Sequence, residues 1–175
     1  MSSLNRGVAK VEVTLKWDPS PLGESAHDLD VVAATFTSDD PTGKPAYLVY
    51  FGSRSPDGTI TLDRESRTGQ GFGSDEEMTL ELDRLAPAYT RVVVGVAIQQ
   101  RDGRLTFGDI DNPSFRVLEG YTELAEYDFS GVTASTAATV AEFTRDAGSG
   151  AWRFRVAVRG FDADPQSFGA LMGGA

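Results

Sequence analysis

The chain has 175 residues, 40% apolar and 24% charged, which suits a single soluble domain with a sizeable core over residues 1–175. No apolar run approaches the ~20 residues of a membrane helix, the first residues lack an apolar signal core, and the absence of cysteine removes disulfides, thiolate metal sites and cysteine nucleophiles together. A net charge of −10 disfavours nucleic acid, whose binding rests on neutralised phosphates, and favours cations or basic partners, with the cytoplasm as the default location.

In chain order, residues 10–17 alternate, with Val11, Val13, Leu15 and Trp17 on one face and charged or polar residues on the other, a half-buried strand. Asp18-Pro19-Ser20-Pro21 ends it. Leu29 to Thr37 is a second strand, apolar enough for burial on both faces. Ala46 to Phe51 and Thr59 to Leu62 follow, separated by the turn Ser55-Pro56-Asp57-Gly58. Met78, Leu80 and Leu82 alternate with Thr79 and Glu81, and Arg91 to Gln99 is the most apolar run, expected at the centre of a sheet. Strands over 115–118, 122–129, 136–143 and 152–158 complete the set. Residues 165–172 read as one short helix and 83–88 as one helical turn. Trp17, Phe36, Val94, Val96, Trp152 and Phe154 are expected to be buried together. Many short strands between frequent turns suggest an all-β antiparallel sandwich or barrel with one or two short helices.

Two segments carry candidate chemistry. Gly69, Gly71 and Gly73 recur at alternate positions, which excludes a packed strand or helix and admits positive φ. Carboxylates flank that loop, Glu65 before it and Asp75 and Glu76 after it. Asp28 and Asp30 stand at the mouth of the second strand, two residues apart and so on one side of the chain. A loop gathering carboxylates and carbonyls suits a hard cation such as Ca²⁺; a solvated strand entrance and a flexible turn are the plainer readings. The spacing is neither that of an EF-hand nor that of a phosphate-binding loop. Asp109-Ile110-Asp111-Asn112, Asp162 and Asp164 read as turn residues. His27, the only histidine, is expected in an exposed loop and excludes a histidine-based zinc site or catalytic dyad within one chain. No nucleophile elbow occurs, and nothing points to an enzyme. Arg153, Arg155 and Arg159 form a row on one strand, suited to internal pairing, an acidic partner or a second copy of the chain.

The run Thr68-Gly69-x-Gly71-x-Gly73-x-Asp75-Glu76, with Asp28-Leu29-Asp30 and Ser55-Pro56-Asp57-Gly58, resembles the TerD family of bacterial tellurite-resistance and stress-response proteins. Leu15-x-Trp17-Asp18, Phe107-Gly108, Asn112-x-x-Phe115-Arg116-Val117, Leu124-Ala125-x-Tyr127-Asp128-Phe129, Trp152-x-Phe154-Arg155 and Gly160-Phe161 extend the likeness over nearly the whole chain. The resemblance implies a two-sheet β-sandwich that binds calcium through Asp28, Asp30, Glu65, Asp75 and Glu76, with Thr68, Gly69, Gly71 and Gly73 supplying loop backbone. The chain departs from the family pattern at Glu65, Ser66, Gln70 and Ser74, and at Tyr50-Phe51-Gly52, so oxygen donors are weakened and calcium is expected to be weak or lost. Two functions of different class follow. One is a calcium-responsive binding module that assembles with other stress-response proteins, with itself, or at a membrane surface. The other is an interaction protein on the same fold with a degraded metal site, for which Phe72, expected at the surface, would be a partner contact.

Overall fold

The computed structural model describes residues 7–66, 68–70, 73–101 and 103–175. Gly71 and Phe72, and with them the expected partner contact, lie outside the described residues. The strands are β1 (Lys10–Lys16), β2 (Leu29–Thr37), β3 (Tyr47–Val49), β4 (Ile60–Arg64), β5 (Glu76–Glu81), β6 (Tyr89–Ile98), β7 (Ser114–Glu119), β8 (Thr122–Tyr127), β9 (Ala137–Arg145) and β10 (Trp152–Phe161). They form two antiparallel five-stranded sheets, ordered β4-β5-β1-β7-β8 and β10-β9-β6-β2-β3. The sheets face each other as a sandwich, which resolves the choice between sandwich and barrel. No helix among the described residues is long and apolar enough to cross a membrane.

The alternation read in β1 places Val11, Val13 and Leu15 fully inside, between the sheets. β2 is buried on both faces because each face has its own cover. Leu29, Val31 and Ala33 join the core between the sheets. Val32, Ala34 and Phe36 turn to the opposite face and pack under Phe168 and Met172. That cover is a one-turn helix α1 (Pro165–Phe168), capped by Asp164, running into a 3-10 segment Gly169–Gly174. The expected helix is therefore shorter than the sequence suggests, since Gly169, Gly173 and Gly174 weaken α propensity where it would continue.

Trp17, Val94, Val96 and Trp152 meet in the main core as expected. Two expectations fail. Phe36 lies on the even-numbered face of β2 and belongs to the smaller cluster. Phe154 is only half-buried, because β10 is an edge strand with a neighbour on one side alone. The arginine row on β10 is partly paired internally. Arg155 Nε donates to Glu142 at 2.6 Å, and Glu142 also binds the buried Arg91 at 2.8 Å. Arg159 donates to the Gly174 carbonyl, after a bulge between Val156 and Arg159 resets the register. The turn readings hold: Asp109 caps a 3-10 turn with Thr106, and Asn112, at φ 50°, donates to Asp18 at 2.7 Å.

Candidate metal centre

The site lies at the corner where β5 of one sheet crosses β2 of the other. Leu15 pairs with Glu76, so Glu76 shares the inward face with a core leucine and is 1% exposed. Its carboxylate reaches across the sandwich and accepts the Val31 N–H through Oε2 at 2.6 Å. The reason is topological. β3 pairs with β2 at Ala33↔Val49 and Thr35↔Tyr47, so the next partner, opposite Val31, would be Phe51. There the chain turns back instead, Tyr50 and Ser53 exchanging backbone hydrogen bonds at 3.1 Å. The Val31 N–H thus loses its ladder acceptor, and a buried donor needs one.

Asp30 sits beside Glu76 and is 4% exposed. Burial pushes the Asp30 carboxyl up to about 6, while hydrogen bonds from Gln99 and with Glu76 work in the other direction. Burial, then the Asp30 charge, hold Glu76 well above the usual carboxylate range. With both groups ionised, Glu76 Oε1 meets no hydrogen-bond donor; one proton between them supplies a hydrogen bond. Asp28, also 4% exposed, adds its charge to Glu76 and is met by Arg101 at 2.9 Å. Gln99 Nε2 donates to Asp30 at 3.0 Å. Asp28, Asp30, Glu65, Ser66, Gln99 and Arg101 line a cleft of about 270 Å³.

Four of the five sequence candidates act on one another here: Asp30 and Glu76 share a hydrogen bond, Asp28 adds its charge to Glu76, and Glu65, exposed at the rim, adds a repulsive charge to Asp30. Asp75 is engaged differently. Its Oδ2 accepts the Trp17 backbone N–H at 2.8 Å and its own N–H donates to Leu15, so it anchors the loop to the end of β1. Its Oδ1 is buried without a hydrogen-bond partner. Among the described residues no three carboxylates stand at metal-ligating spacing. The orphaned oxygens of Asp75 and Glu76 and the hard-oxygen donor set fit a cation such as Ca²⁺ in kind, while Arg101 and Gln99 already occupy part of that coordination space.

Gly69, at the start of the glycine loop, packs onto the indole of Trp17. A Cβ on Gly69 would lie 2.5 Å from Trp17 Nε1, and its φ of +74° adds a second reason for glycine. Trp17 Nε1 itself donates to the His27 carbonyl at 2.9 Å. That bond fixes the chain just before Asp28 and explains why His27 is buried, against the expectation of an exposed loop residue. Thr68 is half-buried, and Gly73 contributes its carbonyl to Lys16 Nζ at 2.9 Å. Gln99 and Arg101 escape sequence reading because their relevance depends on Asp30 pairing with Ala97 in the β2–β6 ladder.

A family model for the TerD domain matches residues 1–169. The chain belongs to the TerD family. Its fold superposes with a TM-score of 0.92 on a solved homologue of the telluride resistance protein TerD from Streptomyces coelicolor A3(2), at 58% identity over 95% of this chain and 98% of that one. The tellurium resistance protein TerD of Serratia marcescens is 28% identical over 166 residues, covering 92% of this chain and 85% of the relative. General stress protein 16U of Bacillus subtilis (strain 168) is 26% identical, covering 92% and 86%. The TerD-type architecture thus spans nearly the whole chain.

Proposed function

We propose that this TerD-family chain is a calcium-responsive binding module, acting in bacterial stress or tellurite resistance through Ca²⁺ binding and protein assembly. The observation that carries the reading is the buried Asp30–Glu76 pair, two adjacent carboxyls held above their ordinary range chiefly by burial. A bound divalent cation would add positive charge beside this pair, where Arg101 already meets Asp28. Asp28, Asp30, Glu65 and Glu76 would hold it, with carbonyls of the glycine loop, and Asp75 would keep the loop fixed to β1. The names of the relatives, tellurium resistance and general stress, support the setting. Other stress-response proteins and a membrane surface are the proposed partners; no catalytic step belongs to the reading.

A second reading is favoured by the Arg101–Asp28 ion pair and the Gln99–Asp30 hydrogen bond. These supply internal substitutes for a cation, as expected of an interaction module whose metal site has degraded. Thermal melting of chelator-treated protein separates the two. Calcium at a hundredfold excess over Kd stabilises by about 2.7 kcal/mol, which raises Tm by roughly 5–10 °C for a domain of this size. Magnesium, bound tightly only in near-ideal octahedra, should give much less. An unchanged Tm in millimolar calcium would leave the interaction module.

A further inference from the structure

The two sheets are stacked in the same lateral order, since β3 lies against β4 and β2 against β5. The opposite flank therefore brings together the two remaining edge strands, β8 of one sheet and β10 of the other. Among the described residues neither edge has a strand on its outer side, apart from the Val8 N–H, which donates to the Trp152 carbonyl at the start of β10. That bond shows that Trp152 presents its backbone outward. By the two-residue period Phe154 and Val156 do the same up to the bulge.

The two edges carry opposite charge. β8 bears Glu123 and Glu126 and no basic residue; β10 bears Arg153, Arg155 and Arg159 and no acidic one. Both sets lie on solvent faces. Glu126 pairs with the exposed Arg116 while its neighbour Tyr127 pairs with the buried Phe115. Arg153 and Arg155 flank Phe154, which pairs with the buried Phe143. Arg155 keeps a side chain 67% exposed although its Nε donates to Glu142. Beside the arginines, Val156 and Val158 are 50% and 38% exposed, large apolar side chains on an edge that meets no further strand among the described residues.

We infer that this flank is a self-association surface on which two copies of the chain join, β8 of each beside β10 of the other. A half-turn about an axis parallel to the strands places both β8–β10 pairs at once. It closes the assembly in an isologous dimer and extends each five-stranded sheet across the interface. In either continuous sheet the glutamates of one copy and the arginines of its partner share the outer face, as favourable cross-strand neighbours. The valines of β10 are covered by the half-buried Leu124 and Ala125 side of β8. Edge charge and bulges ordinarily keep strands from pairing. Here the single sign along each edge opposes β8 with β8 and β10 with β10, and leaves only the mixed pairing attractive.

The test uses the full chain with two complementary charge reversals, Arg155→Glu with Arg159→Glu, and Glu123→Arg with Glu126→Arg. Light scattering on a sizing column at submillimolar concentration should give twice the 18.7 kDa chain mass for the parent. Each double variant alone should shift to one chain mass, its dimer Kd raised more than about tenfold. Mixed in equal amounts, the two should recover the double mass, because both interfaces of the mixed pair oppose Glu to Arg. The β8 variant also gives up the Arg116–Glu123 ion pair, but that pair is solvent-exposed and worth little to the fold, so the variant stays informative even where loss of the Arg155–Glu142 bond unfolds the β10 variant; the parent and β8 masses then decide. A parent of one chain mass, or a β8 variant that dimerises like the parent, overturns the proposal.

Discussion

Asp30→Asn should stabilise the chelated protein, although it alters a residue with a hydrogen-bond partner on either side. The folded-state carboxyl titrates at about 6 against an ordinary 3.8. Its folded pKa is raised, so its contribution is fully present below 3.8 and is lost as pH climbs through about 6. Above that window the ionised group costs the folded state roughly 3 kcal/mol, from about 1.36 kcal/mol for each pH unit of displacement. Asparagine keeps the shape, still accepts from Gln99 and donates to Glu76, and carries no charge. At pH 8 the variant should therefore be more stable by roughly 3 kcal/mol, and by about half that at pH 5, where most of the folded parent is already protonated but the unfolded carboxyl is still largely ionised. Urea unfolding of parent and variant in chelator at the two pH values reads this directly. Equal destabilisation of the variant at both would mean that burial of an Asp30 charge carries no strain, and the reasoning would be wrong.

Gly69→Ala should lower stability by about 1–3 kcal/mol, seen as a lower Tm, because its Cβ would meet the Trp17 indole at 2.5 Å from a backbone at φ +74°. Should that variant melt with the parent, the loop does not rest on Trp17. Val94→Asp places a charge in the fully buried centre of β6, at a cost of several kcal/mol against a total near ~10; circular dichroism should show an unfolded chain, and a native spectrum would refute the core assignment. Parent stability in chelator should itself decline from pH 5 to pH 8 by about 1–2 kcal/mol through Asp30, with Glu76 acting in the same sense. A rise over that range would reverse the sign assigned to the pair.

The sandwich was legible where one period dominates. β1 and β5 alternate cleanly, and the apolar run of β6 lies at the middle of its sheet. What escaped depends on the partner strand rather than on the strand itself. Phe36 lies in the layer its sequence does not indicate, because a strand buried on both faces gives no parity signal; the cover over its second face comes from residues 165–174, far away in sequence. Phe154 is less buried than its strand pattern suggests, because position at a sheet edge is a property of topology. At the site, the glycines and the two aspartates stand out in the sequence, and the structure brings Asp28, Asp30 and Glu76 together. The division of labour between Asp75 and Glu76 does not stand out. It follows from the early end of β3 and the Leu15↔Glu76 register. Arg101, which sits on Asp28, carries no local motif at all.

Calorimetric titration of the parent and of Arg101→Gln with calcium tests the central claim most directly. Arg101 occupies Asp28 with a charge-assisted hydrogen bond at 2.9 Å, an interaction of about 1.5–3 kcal/mol that a cation must displace. The account predicts one weak site in the parent and a Kd tightened by about tenfold or more in Arg101→Gln, with calcium heats abolished by adding Asp30→Asn. Absence of calcium heat in both the parent and Arg101→Gln would contradict it.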